Sequence, residues 1–200
     1  MTETVRIVLA THNAGKRREW VELLAGLRVD VVLPEEIGLS SEVKETGTTY
    51  TENAFLKAHA LADASGWPAL ADDSGLEVDA LDGAPGIHSA RFHPGSDEVR
   101  YLALLKALTG VPAEERGARF RCVAALVLPD GREFSTEGLC EGRIDPAASG
   151  DGGFGYDPVF FVPEAGKTMA ELTAAEKNRI SHRARAAQAM RPILAAELDA

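Results

Sequence analysis

Runs of apolar residues and their spacing divide the chain into short strands and longer helices. Unbroken or alternating apolar runs predict strands, whereas apolar residues three and four positions apart predict helices. The predicted strands are Arg6 to Ala10, Val29 to Leu33, Ala69 to Asp72, Leu76 to Val78, Arg119 to Leu128, Arg132 to Glu137 and Val159 to Val162. The predicted helices are Lys16 to Ala25, Thr51 to Ala64, Asp97 to Leu108 and Ala174 to about Leu198.

One turn decides the kind of sheet that these strands form. Pro129-Asp130-Gly131 separates two strand-like runs, a pattern typical of an antiparallel hairpin. We therefore expect an α/β protein with a mixed central sheet and flanking helices. The sequence contains no internal repeat, low-complexity tract or long linker. Its 200 residues, 45% of them hydrophobic, predict one globular domain over residues 1–200.

Two adjacent carboxylates, Asp72 and Asp73, end the short apolar run that begins at Ala69. Carboxylates that enter a low-dielectric strand end must be paired, protonated or bound to a metal, so their placement there indicates a site. Neighbouring side chains of a strand point to opposite faces, and we expect a turn at Ser74-Gly75 to let both acids face one ligand. We predict one primary acid and one supporting acid. An ordinary turn between two strands is the alternative.

A polar turn follows the first predicted strand and opens the first helix. A helix N-terminus binds anions through its free backbone N–H groups, Gly15 permits close approach and Lys16 adds a charge, so this segment is suited to phosphate. It is not a Walker P-loop, because that motif needs a glycine at position 10 and a hydroxyl at position 17, where Ala10 and Arg17 stand. An ordinary helix cap is the alternative.

A third segment places an acid, Glu45, before a turn and a helix. Thr49 and Glu52 are spaced as a capping box. Asn53 and Lys57 are four residues apart, so a helix brings both to one face, where a ligand could reach them. Taken alone, Lys57 is better explained as a solvated surface lysine.

Glycines surround two aromatic residues between Gly152 and Val162. A flat face of Phe154 or Tyr156 beside open backbone suits stacking on a nucleobase, although an aromatic plug beneath a loop is the usual explanation. A further capping box, Thr173 with Glu176, begins the last predicted helix.

Cations crowd the first turns of that last helix. The helix dipole favours acids at this end, so Lys177 and Arg183 look placed for an anionic or carbonyl-bearing partner. A basic face on a surface helix is the alternative.

Charge and cysteine content exclude several classes of protein. A formal net charge of −10 argues against a protein that coats nucleic acid, because extended basic surfaces bind phosphate backbones. Cys122 and Cys140 are too few and too far apart for a zinc site, and we expect both to be reduced and buried in strands. Only about six apolar residues precede Thr11, fewer than a signal-peptide core has, and no run is long enough to span a membrane. We therefore expect a cytoplasmic protein with no membrane partner.

In their order along the chain, these segments resemble the inosine triphosphate pyrophosphatase family, also called the Ham1-like family, over nearly the whole length. The resemblance rests on Thr11 to Lys16, Glu45-Thr46-Gly47, Glu52-Asn53-Ala54 with Lys57, Ala71 to Gly75, Gly83 to Ile87 with Ser89-Ala90-Arg91, Phe154 to Asp157, and Glu176-Lys177 with Ser181-His182-Arg183. Each motif alone is weak, whereas the ordered set is highly specific. The chain departs from the family at His12, where relatives often carry a small or amide residue, and at Ala184, where glycine is frequent.

The resemblance implies hydrolysis of non-canonical purine nucleoside triphosphates such as ITP, dITP and XTP to the monophosphate and pyrophosphate. It also implies two lobes enclosing a nucleotide cleft, and a homodimer. Glu45 and Asp73 are the expected metal ligands, and an all-oxygen site with few carboxylates suits Mg²⁺. The expected catalytic residues are Asp73, Asp72, Lys16 and Lys57, with Asp73 accepting the proton of the attacking water. Lys16, Lys57 and Lys177 are expected to neutralise the phosphates.

The expected substrate-binding residues are Thr11, His12, Asn13, Ala14, Gly15, Lys16, Ser74, Phe154, Gly155, Tyr156, Asp157, Lys177, His182 and Arg183. Among them, Phe154 is the expected stacking partner. Donors on Lys177, His182 and Arg183 would favour the acceptor oxygen at position 6 of hypoxanthine and xanthine over the amino group of adenine. Two rival classes stay open. One is a nucleotide sensor without turnover, and the other is a phosphohydrolase of different product or base preference.

Overall fold

A seven-stranded mixed sheet organises the fold in the computed structural model, which describes residues 4–40 and 42–198. The strands are β1 (Val5–Leu9), β2 (Val29–Val32), β3 (Ala69–Val78), β4 (Gly117–Val127), β5 (Glu133–Ile144), β6 (Phe160–Val162) and β7 (Lys167–Thr168). Their order in the sheet is β2-β1-β3-β4-β5-β6-β7. β1 pairs in parallel with β2 and β3, while β6 pairs antiparallel with β5 and β7. The predicted mixed sheet is therefore confirmed.

Backbone hydrogen bonds at both ends of β4 and β5 confirm the predicted hairpin. Leu128 N donates to Arg132 O at 2.9 Å beside the turn, and Ile144 N donates to Arg116 O at 2.9 Å at the far end. β5 continues well beyond the predicted end at residue 137, and β7 was not predicted.

Five α-helices accompany the sheet in the described residues: α1 (Ala14–Leu23), α2 (Tyr50–Ser65), α3 (Asp97–Ala107), α4 (Ala174–Ile180) and α5 (His182–Glu197). Side chains that favour helix starts cap four of them, because each accepts a hydrogen bond from a backbone N–H of the first turn. The caps are Asn13, Thr49, Ser96 and Thr173. The predicted capping box of Thr173 and Glu176 is confirmed. Thr49 also caps as predicted, but Glu52 accepts from Thr48 N and Oγ1, at 2.6 and 3.0 Å.

The prediction of a turn at Ser74-Gly75 is wrong, because a single strand, β3, runs through both residues. A turn would be needed only if Asp72 and Asp73 shared one ligand. Each acid instead has its own cationic partners, so the alternation of an extended strand suits both side chains.

One continuous helix from Ala174 to Leu198 is also a wrong prediction, because α4 ends at Ile180 and α5 begins at His182. Between them Ser181 is extended, with φ −67° and ψ 158°, and its N–H closes the last turn of α4 on Lys177 O. The surrounding alanines favour helix throughout, so composition alone does not reveal this break.

The chain divides into two units. Unit 1 contains the described parts of Met1–Asp73, Cys122–Gly138 and Arg183–Ala200. Its core joins β1, α1 and α5 around Trp20, which is fully buried, with Leu9 and Met190 among its neighbours in the cluster. Cys122 belongs to this core and is unpaired with any other cysteine, as predicted.

Unit 2 contains Ser74–Arg121 and Leu139–His182. Its core joins the end of β3, α3 and the strands β5 and β6, with Leu76, Leu104 and Phe160 wholly buried. Cys140 lies in this core, and it too is buried and forms no disulfide with a described residue, in agreement with the prediction of a reduced, buried cysteine. No helix among residues 4–40 and 42–198 is long and apolar enough to cross a membrane.

Candidate active site

Asp72 lies in β3 with its carboxylate enclosed by donors. Oδ2 lies 3.0 Å from both Lys16 Nζ and Arg183 Nη2, and Oδ1 accepts a hydrogen bond from the Trp20 indole N–H at 3.1 Å. The residue is 1% exposed. Burial opposes ionisation, but the charges of Lys16 and Arg183 outweigh it and hold the pKa of Asp72 far below its usual range. Asp72 is therefore a permanent anion rather than a proton acceptor.

Arg183 is held on its other side by Glu19 of α1. Nη1 donates to Glu19 Oε2 at 2.6 Å, and the guanidinium is fully buried. The sequence predicted Arg183 as a substrate donor, whereas the structure places it between two carboxylates, Glu19 and Asp72. A buried charge is tolerated when its hydrogen bonds are satisfied in this way.

Sequence reasoning missed three side chains of this network, which are Glu19, Trp20 and Cys122. The Cys122 thiol lies 3.7 Å from Asp72 Oδ2, and burial raises its pKa. The sequence does contain a signal for Glu19 and Trp20, because both lie on the same helix face as Lys16. That face carries Lys16, whose ammonium reaches Asp72.

Asp73, the next residue of β3, has a different environment. Oδ1 lies 3.2 Å from Lys57 Nζ, and Oδ2 accepts from Asn53 Nδ2 at 3.3 Å. Burial raises the pKa of Asp73, and Glu45 adds to this effect, while Lys57 and Lys16 oppose it without cancelling it. Of the two adjacent acids, Asp73 is therefore the one whose surroundings raise the carboxyl pKa, whereas those of Asp72 lower it.

Lys57 is buried, so the alternative of a solvated surface lysine is excluded. Its ammonium donates to Asp72 O at 2.7 Å, Glu45 Oε1 at 3.0 Å and Asp73 Oδ1 at 3.2 Å. An ammonium has three donors, and all three are used here. Burial opposes protonation of Lys57, but the surrounding carboxylates raise its pKa and keep it charged.

Asn53, on the same face of α2 as Lys57, joins two segments of the site. Its amide donates to Asp73, and its oxygen accepts from Gly47 N at 2.9 Å. A Cβ on Gly47 would lie 2.7 Å from Asn53 Oδ1, so glycine permits this close approach of the loop to α2. The spacing placed Asn53 beside Lys57, but it gave no sign of these contacts.

The expected metal ligands, Glu45 and Asp73, converge on one point, because both lie within 3.2 Å of Lys57 Nζ. Two carboxylates whose other coordination places go to water or phosphate oxygens match the preference of Mg²⁺. Among the described residues, no group of three or more histidine, cysteine, aspartate or glutamate side chains could hold a metal ion. Binding of a metal by Glu45 and Asp73 stays a prediction.

The polar turn before α1 forms a capped helix start. Asn13 Oδ1 accepts from Lys16 N at 2.9 Å, and Thr11 Oγ1 accepts from Asn13 N at 3.2 Å. His12 and Ala14 are exposed, while Lys16 is partly buried. The ordinary cap that the sequence allowed is therefore present, and binding of phosphate by residues 11–16 stays a prediction.

Unit 2 holds a second group of predicted residues, in the aromatic loop Gly152–Asp157. Asp157 Oδ2 accepts from Phe154 N at 2.9 Å and from Lys177 Nζ at 2.5 Å. The Lys177 ammonium also lies 4.8 Å from the centre of the Phe154 ring. We call Phe154, Asp157 and Lys177 the aromatic cluster. It combines a partly exposed ring with a charged donor.

Tyr156 is buried, and its hydroxyl donates to Ser89 O at 2.8 Å. Burial raises the pKa of Tyr156 to about 12. Of the two aromatic residues that the sequence offered for stacking, Phe154 is thus the one with an accessible face.

His182 is buried too, and its ring stacks on Phe120 at 4.7 Å between centroids and 15° between planes. The two remaining predicted residues, Ser74 and Gly155, are partly buried. Ser74 directly follows Asp73 in β3.

A mixed α/β fold that carries a buried acid–lysine group and an aromatic–ammonium group has the chemistry that a nucleotide-processing protein needs, with charges for phosphate and a ring for a base. The Ham1 family profile matches residues 7–193, and the chain belongs to the Ham1 family. The resemblance drawn from the motifs is thereby confirmed.

Relatives with assigned names share about half of their residues with this chain. A dITP/XTP pyrophosphatase of Symbiobacterium thermophilum is 54% identical, over 90% of both chains. One of Streptomyces coelicolor is 51% identical, over 94% of this chain and 96% of the relative. Among solved structures, a HAM1 protein from Coxiella burnetii superposes with a TM-score of 0.86 at 40% identity, over 95% of this chain and 98% of that one. The Staphylococcus aureus Ham1 protein gives 0.84, also at 40% identity, over 96% and 99%.

Proposed function

We propose that the protein hydrolyses non-canonical purine nucleoside triphosphates, among them ITP, dITP and XTP, to the monophosphate and pyrophosphate. The observation that carries the proposal is that Glu45 and Asp73 both accept a hydrogen bond from the Lys57 ammonium. This arrangement occurs in a chain that is about half identical to dITP/XTP pyrophosphatases. A protein that only sensed nucleotides would not need a buried acid of raised pKa beside a second acid. This favours an enzyme over the sensor.

Charge neutralisation is the first requirement of this reaction. A triphosphate carries about four negative charges near neutral pH, and these must be balanced for a water to attack the α-phosphate. We assign direct phosphate contact to Lys16, whose side chain is only partly buried and whose ammonium pairs with Asp72. Lys57 contributes its charge from behind the acids, because its three donors are already used.

Glu45 and Asp73 would hold a Mg²⁺ ion in this proposal. When bound, the ion would polarise the phosphate oxygens and help to lower the pKa of a nearby water. The oxygen donors support magnesium rather than zinc. Asn53 and Lys57 fix the orientation of the Asp73 carboxylate, which limits the rearrangement needed on binding.

Asp73 is the proposed general base. A general base must lie beside the water that it deprotonates, and Asn53 and Lys57 hold the Asp73 carboxylate beside the proposed metal site. Asp72 supports it indirectly, because it stays ionised and ties Lys16 to the strand that carries Asp73.

The aromatic cluster is the proposed base-recognition element. Phe154 offers its ring for stacking, and Lys177 offers a donor suited to the oxygen at position 6 of hypoxanthine or xanthine. Adenine carries an amino donor there, so it would leave a charged donor facing another donor. His182 is held by its stack on Phe120, which suits a fixed rather than an adaptable contact. The homodimer and the cytoplasmic location also stay predictions.

Product analysis tests the proposal. The protein is incubated with ITP, XTP, GTP and ATP in Mg²⁺, and pyrophosphate is separated from orthophosphate. We expect monophosphate plus pyrophosphate from ITP and XTP, with little from GTP or ATP. Asp73→Asn should lower kcat by roughly 10²- to 10⁴-fold, the usual effect of losing a general base. Asp63→Asn, a change at an exposed acid of α2, is the control. Orthophosphate release would indicate another phosphohydrolase, and binding without turnover would indicate the sensor.

A further inference from the structure

We propose that Asp97 is a positioning residue for base selectivity, which holds the aromatic loop so that Phe154, Asp157 and Lys177 present one fixed surface to the base. The inference rests on the proposed function of that cluster and extends it to a residue outside the loop. Asp97 lies outside the sequence motifs that the chain shares with the Ham1 family.

The carboxylate of Asp97 joins the first turn of α3 to the aromatic loop. Oδ2 accepts from Gly155 N at 2.7 Å, while Oδ1 pairs with Arg100 one turn later in the helix. Arg100 is itself anchored, because Nη1 donates to Gly95 O at 2.9 Å. Both carboxylate oxygens of Asp97 therefore accept a hydrogen bond, which fixes the orientation of the carboxylate toward the aromatic loop.

Gly155 is the point where the loop can be held. Its φ of +64° is in the left-handed region that glycine adopts without strain, and its N–H points to Asp97. Phe154 and Tyr156 flank it on either side. Tyr156 is anchored to Ser89 O, so the two residues that follow Phe154 provide one charged and one neutral anchor for the loop.

The electrostatics of Asp97 agree with this role. Burial opposes its ionisation, but the Arg100 hydrogen bond and the Gly155 N–H outweigh it, and the pKa of Asp97 is lowered. The bond to Gly155 is thus a hydrogen bond to a charged acceptor, which is about twice as strong as a neutral one.

Fixing Gly155 also fixes the cluster that reads the base. Asp157 Oδ2 accepts from both Phe154 N and Lys177 Nζ, so a displacement of the loop moves ring, carboxylate and ammonium together. The packing is tight, because a Cβ on Gly153 would lie 1.9 Å from Asp157 Oδ2. A donor recognises an acceptor oxygen only within a narrow range of distance and angle, so loosening the loop weakens recognition of the 6-oxo group.

The test compares Asp97→Ala with Glu98→Ala. Glu98 is an exposed acid in the same first turn of α3, so the control reproduces the loss of a charge at the helix N-terminus. We expect Asp97→Ala to raise KM for ITP and to lower the ratio of kcat/KM for ITP over ATP by about tenfold, with kcat changed much less. Asp97→Asn keeps an acceptor oxygen and should recover part of the ratio. Glu98→Ala should keep the wild-type ratio.

Thermal unfolding of each variant separates positioning from folding. A lower melting temperature of Asp97→Ala with an unchanged ITP-over-ATP ratio would overturn the inference, and so would an equal loss of the ratio in Glu98→Ala. Should Asp97→Ala fail to fold, Asp97→Asn supplies the decisive ratio of kcat/KM for ITP over ATP. Faster amide exchange of the Gly155 N–H in Asp97→Asn would show that its bond to residue 97 is weakened. A wild-type ratio in that weakened variant would overturn the inference. If the wild-type protein releases no pyrophosphate from ITP, the proposed function fails first, and that result is distinct from any outcome for Asp97.

Discussion

At the scale of single residues, two neighbouring aspartates of β3 have opposite electrostatic environments. Asp72 meets Lys16 and Arg183, and its pKa is held far below the usual range. Asp73 shares Lys57 with Glu45, and burial raises its pKa. The strand separates the two side chains by pointing them to opposite faces. One sequence motif therefore provides a fixed anion and an exchangeable acid side by side.

This contrast predicts opposite effects of two matched substitutions on stability. The folded pKa of Asp72 is below its unfolded value, so its contribution is complete above about pH 4 and is lost as the pH falls further. The folded pKa of Asp73 is above its unfolded value, so its contribution is present at low pH and is lost as the pH rises. At pH 7, Asp72→Asn should lower the free energy of unfolding by about 3 to 5 kcal/mol, because it leaves buried cations uncompensated. Asp73→Asn should leave it unchanged or higher.

Urea denaturation of the three proteins at pH 7 and at several lower values measures this difference. The deficit of Asp72→Asn relative to wild type should narrow as the pH falls below about 4. Equal losses from both substitutions at pH 7 would contradict the assignment of the two environments.

At the scale of elements, local signals predicted the fold where a few adjacent residues decide the outcome. Thr173 with Glu176 and the turn at Pro129-Asp130-Gly131 are of this kind, and both are confirmed. The prediction of a turn at Ser74-Gly75 failed because residues distant in the sequence determine the local structure there. Ser74 stays in a strand because the preceding acids are satisfied separately, and one partner of Asp72, Arg183, is 111 residues away along the chain.

The candidate site shows the same division. Spacing predicted that Asn53 and Lys57 share a face of α2, and the structure places both against β3. Spacing could not predict that Lys57 is buried with all three of its N–H donors used. This burial depends on contacts with Glu45 and with β3, which are distant from Lys57 in the sequence. Resemblance named Arg183, and only the three-dimensional contacts reveal its bond to Glu19.

Helix α2 provides the next prediction, because Asn53 connects the loop at Gly47 to Asp73. Asn53→Ala removes both hydrogen bonds and frees the segment that carries Glu45. We expect the Mg²⁺ concentration for half-maximal activity to rise by about 10- to 100-fold, the usual effect of losing a side chain that orients a metal ligand. Titration of the ITP hydrolysis rate with Mg²⁺ measures it.

Thr51→Ala is the control, since Thr51 is exposed in the first turn of the same helix. Its Mg²⁺ dependence should match that of the wild type. A fall in rate for Asn53→Ala that no Mg²⁺ concentration changes would mean that Asn53 acts on the fold alone.

At the scale of the whole molecule, a chain of net charge −10 must bind a polyanion. Positive charge near the acids comes from Lys16, Lys57 and Arg183, but Asp72, Asp73, Glu45 and Glu19 balance it. The described cluster, with three cations and four carboxylates, therefore has no excess positive charge with which to attract a triphosphate. A bound divalent cation would supply that charge, so we expect metal and triphosphate to bind cooperatively, each increasing the affinity for the other.

Thermal unfolding tests this cooperativity with an ITP analogue that carries a non-hydrolysable α,β bridge. At one hundred times its dissociation constant, a ligand stabilises the folded protein by about 2.7 kcal/mol, which raises the melting temperature of a chain of this length by roughly 5 to 10 °C. We expect that rise with Mg²⁺ and analogue together, and only a small shift with either alone. Glu45→Gln should remove most of the joint effect, whereas Glu42→Gln, at an exposed acid of the same segment, should keep it. A full shift by the analogue in the presence of EDTA would show that the protein's own lysines suffice, and the metal would then have no part in holding the triphosphate.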